Sequence, residues 1–356
     1  MTQGTTGVRP AQRTGPPDRP RRRPASRSGR RWIGLAAGIA VLVAAVALSV
    51  AIGSRNVDLG TVWRVLWHED GSPESVIVHQ LRLPRTLLGI GVGAALGLAG
   101  TVMQALTRNP LAEPGLLGVS LGASTGVVLA VAFLGVANAT GYVWFAFAGA
   151  ALTSAAVFAL GGSGGAHTPE RQILAGVSLT SVLGAIVWAV LVTRREAFDR
   201  YRHWDVGSLS DRETATIMQV MPFLLAGILL ALALGRQLNA LGMGDESATS
   251  LGAHPGRIRA LGILTVTLLC GAATAACGPI FFLGLAVPYA ARLVAGSDHR
   301  WILAYSLVLG PALLLGSDVL GRVLVAPAEL PVGVVTAFLG APLFIALCRR
   351  RRLSVL

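Results

Sequence analysis

Residues 81–107 read Leu81-Arg82-Leu83-Pro84-Arg85-Thr86-Leu87-Leu88-Gly89-Ile90-Gly91-Val92-Gly93-Ala94-Ala95-Leu96-Gly97-Leu98-Ala99-Gly100-Thr101-Val102-Met103-Gln104-Ala105-Leu106-Thr107. No charge interrupts the run after Arg85, and about 20 apolar residues suffice to cross the hydrocarbon of a bilayer as a helix. Gly89, Gly93 and Gly97 recur every fourth residue, with Gly100 close behind. That spacing makes one glycine face, on which a second helix backbone can approach closely. Two arginines at the head of such a run sit at its rim. There they either snorkel to headgroups or meet an acidic partner.

The rest of the chain is made of the same material. Apolar residues are 53% and charged residues 13% of the 356, and Gly supplies 44. A soluble domain carries about 25% charged residues, so an ordinary cytosolic enzyme, a disordered chain and a disulfide scaffold are all excluded. The composition is that of a polytopic, all-α membrane protein. All 30 basic residues are Arg. A Walker A loop and Schiff-base chemistry both need Lys, so the chain is expected to be a non-enzyme with no P-loop ATP hydrolysis of its own. Cys270, Cys277 and Cys348 read as small apolar packing residues. No metal site and no resident cofactor are expected.

Ten spans are predicted, at about 33–53, 82–106, 113–134, 142–161, 172–193, 215–235, 259–277, 280–295, 301–321 and 331–348. The eighth is short and contains Pro288. Residues 1–31 carry nine Arg, five Pro and one acid; they read as a disordered basic tail. The transmembrane domain is placed at 32–352, with its first span a signal-anchor. With the N-terminus inside, the cytoplasmic side gathers 20 Arg against six acids, and the other ten Arg meet 11 acids. The positive-inside rule therefore puts both termini in the cytoplasm of a multi-pass inner-membrane protein. The basic surplus belongs to that rule and to anionic membrane lipid, not to nucleic acid.

Several segments are more than apolar helix. Gln104, Asn109 and Pro110 stand at the inner end of the second span and are candidates to line a polar path or gate. Residues 238–257 form the largest inner loop, with a short helix expected at about 240–254. Asp245 and Glu246 suit its N-terminal dipole and Gly252 its C-cap. A short helix held between two spans suits a handle for a soluble partner. The run Gly278-Pro279 to Pro288-Tyr289 is a broken span, tolerated where backbone is buried in protein or lines a cavity. Asp318 lies four residues before Arg322, at helical ion-pair spacing. An intramembrane acid is a functional candidate, and a purely structural pair is the equal alternative.

Taken in order, RLPRTLLGIGVGAALGLAGTVMQALTRNPLAEPGLLGVSLGAS (82–124), HWDVGSL (203–209), LGMGDESATSLGAHPGRIR (241–259), GPIFFLGLAVPYAARLVAGSDHR (278–300), DVLGR (318–322) and ELPVGVVTAFLGAP (329–342) resemble the FecCD family. These are the permease subunits of bacterial ABC importers for ferric siderophores and vitamin B12. The wording of the last hundred residues is most like that of the ferric enterobactin permeases. The resemblance implies a type II ABC importer permease of ten spans, paired with itself or a sister permease. A cytoplasmic ABC ATPase dimer would use ATP below it, and an extracytoplasmic substrate-binding protein would deliver a ferric siderophore from above.

The resemblance also implies roles for residues. The coupling helix inserted in the ATPase falls on Gly244, Asp245, Glu246, Ala248, Leu251 and Gly252. The arginines that dock the binding protein fall on Arg82, Arg85 and Arg322. Pro288 and Tyr289, which join the candidates for the path or gate, fall on a GLxxPH stretch whose last residue is usually His; Ser317 replaces a usual Ala. A vitamin B12 or haem permease of the same family is the alternative. A more distant one is an ion-coupled secondary transporter, which would want more intramembrane acids than Asp318.

Overall fold

The computed structural model describes residues 27–53, 57–68, 70–136, 139–162, 169–210, 212 and 214–349. Ten apolar helices build it. They are α1 (Arg27–Ala51), α2 (Leu83–Thr107), α3 (Val119–Leu134), α4 (Ala139–Gly162), α5 (Pro169–Thr193), α6 (Thr214–Ala233), α7 (Pro255–Cys277), α8 (Leu283–Ala295), α9 (His299–Leu324) and α10 (Val332–Arg349). Seven are long and apolar enough to cross a membrane, and α3, α8 and α10 are shorter apolar helices. The end where α1 begins is called the near face, and the opposite end the far face.

Helix α2 is the axis of the bundle. Every residue from Val92 to Thr107 is buried, and α9, α7, α8 and α6 surround it. The glycine face works as its spacing predicts. A Cβ on Gly93 would lie 2.6 Å from the Pro311 Cα of α9, and one on Gly97 2.9 Å from the Ser306 carbonyl. Backbone cannot yield at those distances as a side chain would, so the contact admits Gly alone. Thr101 and Ser306 then hydrogen-bond through their hydroxyls at 2.8 Å. One turn further on, Gly100 lets the Gly284 carbonyl of α8 come closer still.

Several boundaries differ from the expected ones. Residues 27–31, assigned to the basic tail, are the first turns of α1; residues 1–26 lie outside the described residues. Helix α2 is preceded by a wide-turn segment, Ile77–Arg82, and by Pro73–Val76, so the helical run begins at Pro73. The cause is Pro84, which removes an N–H and crowds the carbonyl four residues back; the wider π turn accommodates both. The third span, expected from 113, starts at Val119. Before it, Pro114–Leu117 form a 3₁₀ turn that ends on Gly118 at φ 70°. The eighth span is shorter than expected. Helix α8 has 13 residues, about 20 Å, against a hydrocarbon core of about 30 Å.

The missing length of α8 is covered by non-helical backbone packed in protein. Phe282 sits at φ 66°, and its N–H donates to Glu113 Oε1 at 2.6 Å. Ser208 N–H takes the Cys277 carbonyl at the end of α7. Buried polar backbone needs such partners where water is absent. The expected coupling helix at 240–254 is resolved into two pieces, Gly235–Gly242 and Asp245–Ser250. Between them Gly244 turns at φ 105°, a backbone conformation that favours glycine.

Candidate functional site

Charged side chains gather at both ends of α2. At the far face α1 ends on carbonyls that no helical N–H can reach. Arg82 and Arg322 reach them instead. Arg82 Nη1 donates to Val50 O at 2.9 Å and Ala51 O at 2.7 Å. Arg322 Nη1 donates to Ser49 O and Ile52 O, both at 2.8 Å. Two cations at a helix C-terminus also oppose the negative end of its dipole. Ser49 Oγ pairs with Thr86 Oγ1 at 2.8 Å, fixing α1 to the first turn of α2.

Asp318 is the hub of this end. It is wholly buried. Arg85 grips it with two bonds, Nε to Oδ2 at 3.0 Å and Nη2 to Oδ1 at 2.7 Å, the fork geometry guanidinium offers a carboxylate. Arg322 bonds Oδ2 from Nε at 3.1 Å and from Nη2. The i,i+4 pair expected from sequence is therefore present, and Arg85 joins it from α2. Arg322 has five N–H bonds to give. Asp318, the two α1 carbonyls and Ser49 Oγ take all five, and the side chain is 1% exposed. Arg82 is likewise buried. Of the three arginines expected to dock a partner, Arg82 and Arg322 reach inward to the end of α1, and all three line one far-face pocket.

Arg85 differs from the other two. Its Nη1 donates to Glu329 Oε2 at 2.6 Å, and Glu329 is a quarter exposed. Ser210 Oγ donates to the same oxygen at 3.0 Å. A pocket of about 350 Å³ opens here, lined by Arg82, Arg85, Ser210, Arg212, Arg322 and Glu329 among others. Sequence reading missed Glu329. Its signal was an acid immediately before the Leu-Pro that starts the last span.

The near face is built around Asp245. Arg108 caps α2 in the left-handed conformation, φ 50°. Its Nη2 donates to Leu241 O at 2.8 Å and to Asp245 Oδ1 at 2.5 Å. Arg259, at the start of α7, donates to Asp245 Oδ2 at 2.8 Å. Burial works against the Asp245 charge, but Arg259 and then Arg108 outweigh it and hold its carboxyl below the usual carboxylate range. One acid thus ties the short helix Asp245–Ser250 to two spans. Glu246, Leu251 and Gly252 are exposed beside it, as is Met243. Ala248 is fully buried against the bundle, so a larger residue there would lever the helix off its seat. A second tie lies alongside. Asn239 Nδ2 donates to Asp298, while Asn239 Oδ1 accepts from the His299 backbone N–H and from its Nδ1.

The expected path residues are spread over this inner half. Gln104 is wholly buried and neither of its amide atoms has a hydrogen-bond partner. Asn109 Oδ1 accepts from Leu111 N–H at 2.9 Å in the turn that includes Pro110. Pro288 is buried and Tyr289 half-buried on α8, the helix that meets α2 at Gly100.

The model of the FecCD transport family matches residues 41–350. The chain belongs to the FecCD family. The ferric enterobactin transport system permease protein FepD of Escherichia coli is 46% identical over 313 residues, 87% of this chain and 93% of FepD. The hemin transport system permease protein HmuU of Yersinia pestis is 38% identical over 85% of this chain and 92% of its own. An inward-facing metal-chelate type ABC transporter superimposes with a TM-score of 0.78 at 28% identity, covering 91% of this chain and all of that one. This FecCD chain is thus an ABC importer permease, a multi-pass membrane transport subunit whose fold is that of the metal-chelate transporters.

Proposed function

We propose that the chain is the permease of a ferric-siderophore importer, with a catecholate chelate as its cargo. The observation that carries this is its 46% identity to the ferric enterobactin permease across nearly the full length of both proteins. The near face is the cytoplasmic one, as the arginine count supports, and both termini lie there, with the basic residues 1–26 ahead of α1. Two such subunits, identical or sister chains, enclose the translocation path. Gly244, Glu246, Leu251 and Gly252 meet the ATPase dimer, and Asp245 passes the movement of the short helix to α2 and α7 through Arg108 and Arg259. Gln104, Asn109, Pro110, Pro288 and Tyr289 belong to the path or its gate. At the far face Arg85 receives a carboxylate of the extracytoplasmic binding protein, with Arg82 and Arg322 bracing the helices around it. ATP binding and hydrolysis in the partner then switch the path between outward and inward access.

The test is uptake of radiolabelled iron, presented as separate catecholate, hydroxamate and citrate chelates, in a deletion strain and its complement. Labelled haem and cobalamin run alongside. Loss of the catecholate alone, restored by the gene, is the expected result. Loss of haem or cobalamin uptake with iron uptake intact would move the cargo and leave the permease assignment standing.

A further inference from the structure

Within the far-face knot one acid is held differently from the rest. Asp318 is sealed between two guanidiniums, whereas Glu329 is partly open, with Arg85 Nη1 and the Ser210 hydroxyl on its Oε2. Glu329 lines the pocket of about 350 Å³ described above and also an adjoining one of about 440 Å³ with Arg200, Ser210 and Arg212. Among the described residues lining the two, Glu329 is the sole carboxylate, beside Arg82, Arg85, Arg200, Arg212 and Arg322. The first pocket lies at the small end of ligand sites. It suits an acidic side chain, not a bulky chelate.

The position of Glu329 in the chain gives it leverage. Two residues separate it from α10, and the connection is stitched on both sides. Leu330 N–H donates to Gly321 O of α9 at 3.1 Å, and Gly333 N–H donates to Gly207 O at 3.0 Å. Further along α10, Gly340 packs directly on Phe282, at the break before α8 whose N–H is held by Glu113. Whatever moves Glu329 therefore pulls on the start of the helix that leans on the broken span.

We propose that Glu329 is a resident stand-in for the docking partner's carboxylate: it occupies the outward edge of Arg85 until an acidic side chain of an extracytoplasmic protein displaces it and so releases the connection ahead of α10 from its tie to α2. This rests on the far-face docking reading above. The exchange replaces one charge-assisted hydrogen bond on Arg85 by another, so its net cost is small and its direction is set by the added contacts of the partner. No other bond to Asp318 or to α1 need break.

The experiment uses the permease assembled with its ATPase in lipid nanodiscs. The probe is the purified, chelate-loaded binding protein that sustains uptake in the complementation assay, titrated at two ionic strengths. Glu329→Gln keeps the shape and the hydrogen bonds but removes the competing charge. It should tighten binding roughly tenfold, the scale of one lost charged competitor, with Arg85→Ala weakening it. Ser210→Ala, which loosens Glu329 without touching Arg85, should shift affinity in the same direction as Glu329→Gln by a smaller factor. Unchanged or weaker binding in both Glu329→Gln and Ser210→Ala, with Arg85→Ala still harmful, would overturn the exchange and leave the docking site intact. Unchanged binding in Arg85→Ala would overturn the docking reading itself.

Discussion

The two ends of α2 carry the same chemistry and use it differently. At the far face three helices, α1, α2 and α9, meet on a buried knot in which Asp318 has no exposed surface and Arg322 has no N–H to spare. At the near face a single carboxylate, 44% exposed, ties a six-residue helix to Arg108 and Arg259. Breaking a buried pair strands a charge in a low-dielectric interior, while an exposed pair is screened and replaced by water. The first arrangement is a fixture. The second can be moved at small cost, as an element that relays motion must be.

That contrast can be broken most directly at Asp318. Asp318→Asn leaves Arg322 buried without its paired carboxylate and Arg85 with Glu329 alone. A loss of about 3–5 kcal/mol is expected, seen as a large fall in thermal midpoint and in monodisperse yield from detergent. A midpoint near that of the parent would mean that the knot is hydrated and not a fixture. Asp245→Ala is expected to cost at most about 1 kcal/mol, leaving the fold and midpoint nearly intact. Uptake should nevertheless be abolished, and ATP hydrolysis by the assembled complex should no longer respond to the binding protein. Retained uptake would remove Asp245 from the relay.

The smallest expected effect is one of pH. The Asp245 carboxyl is held low by Arg259 and Arg108. A group whose folded pKa lies below its unfolded value, about 3.9, contributes fully above that value and loses its contribution as pH falls through the lowered one. Hydrogen exchange in residues 243–252 should therefore stay level from pH 8 to pH 5 once corrected for intrinsic rates. It should rise only below about pH 4. A rise near neutral pH would assign the tie to some other group.

Much of the bundle was legible because membrane spans are written locally. Length, apolarity and the four-residue spacing of Gly89, Gly93 and Gly97 each report on a single helix, and the structure answers each with α2 against α9. The Asp318–Arg322 pair was legible for the same reason, since four residues on one helix always face the same way. The broken eighth span could be read from Gly278, Pro279 and Pro288. What covers its gap could not, because Glu113 is 169 residues from Phe282. The arginines were legible as charges at a rim, but the partners of each were not. Whether a guanidinium faces outward depends on Ser49, Ile52 and Glu329, and only the packing of α1 and the head of α10 brings these near.

The sequence by itself determined the class of protein, the ten apolar helices, the glycine contact face, the short helix with two acids at its head, and the family. These follow from composition and from periodicities shorter than one helix. The tertiary structure alone decided which charges are spent. It closed Arg82 and Arg322 on the end of α1, and it left Arg85 facing a half-open Glu329. It seated Ala248 inward and gave Asp245 two arginines from different spans. The physical reason is that desolvation and hydrogen-bond saturation depend on neighbours from distant parts of the chain, and one-dimensional spacing holds no record of them.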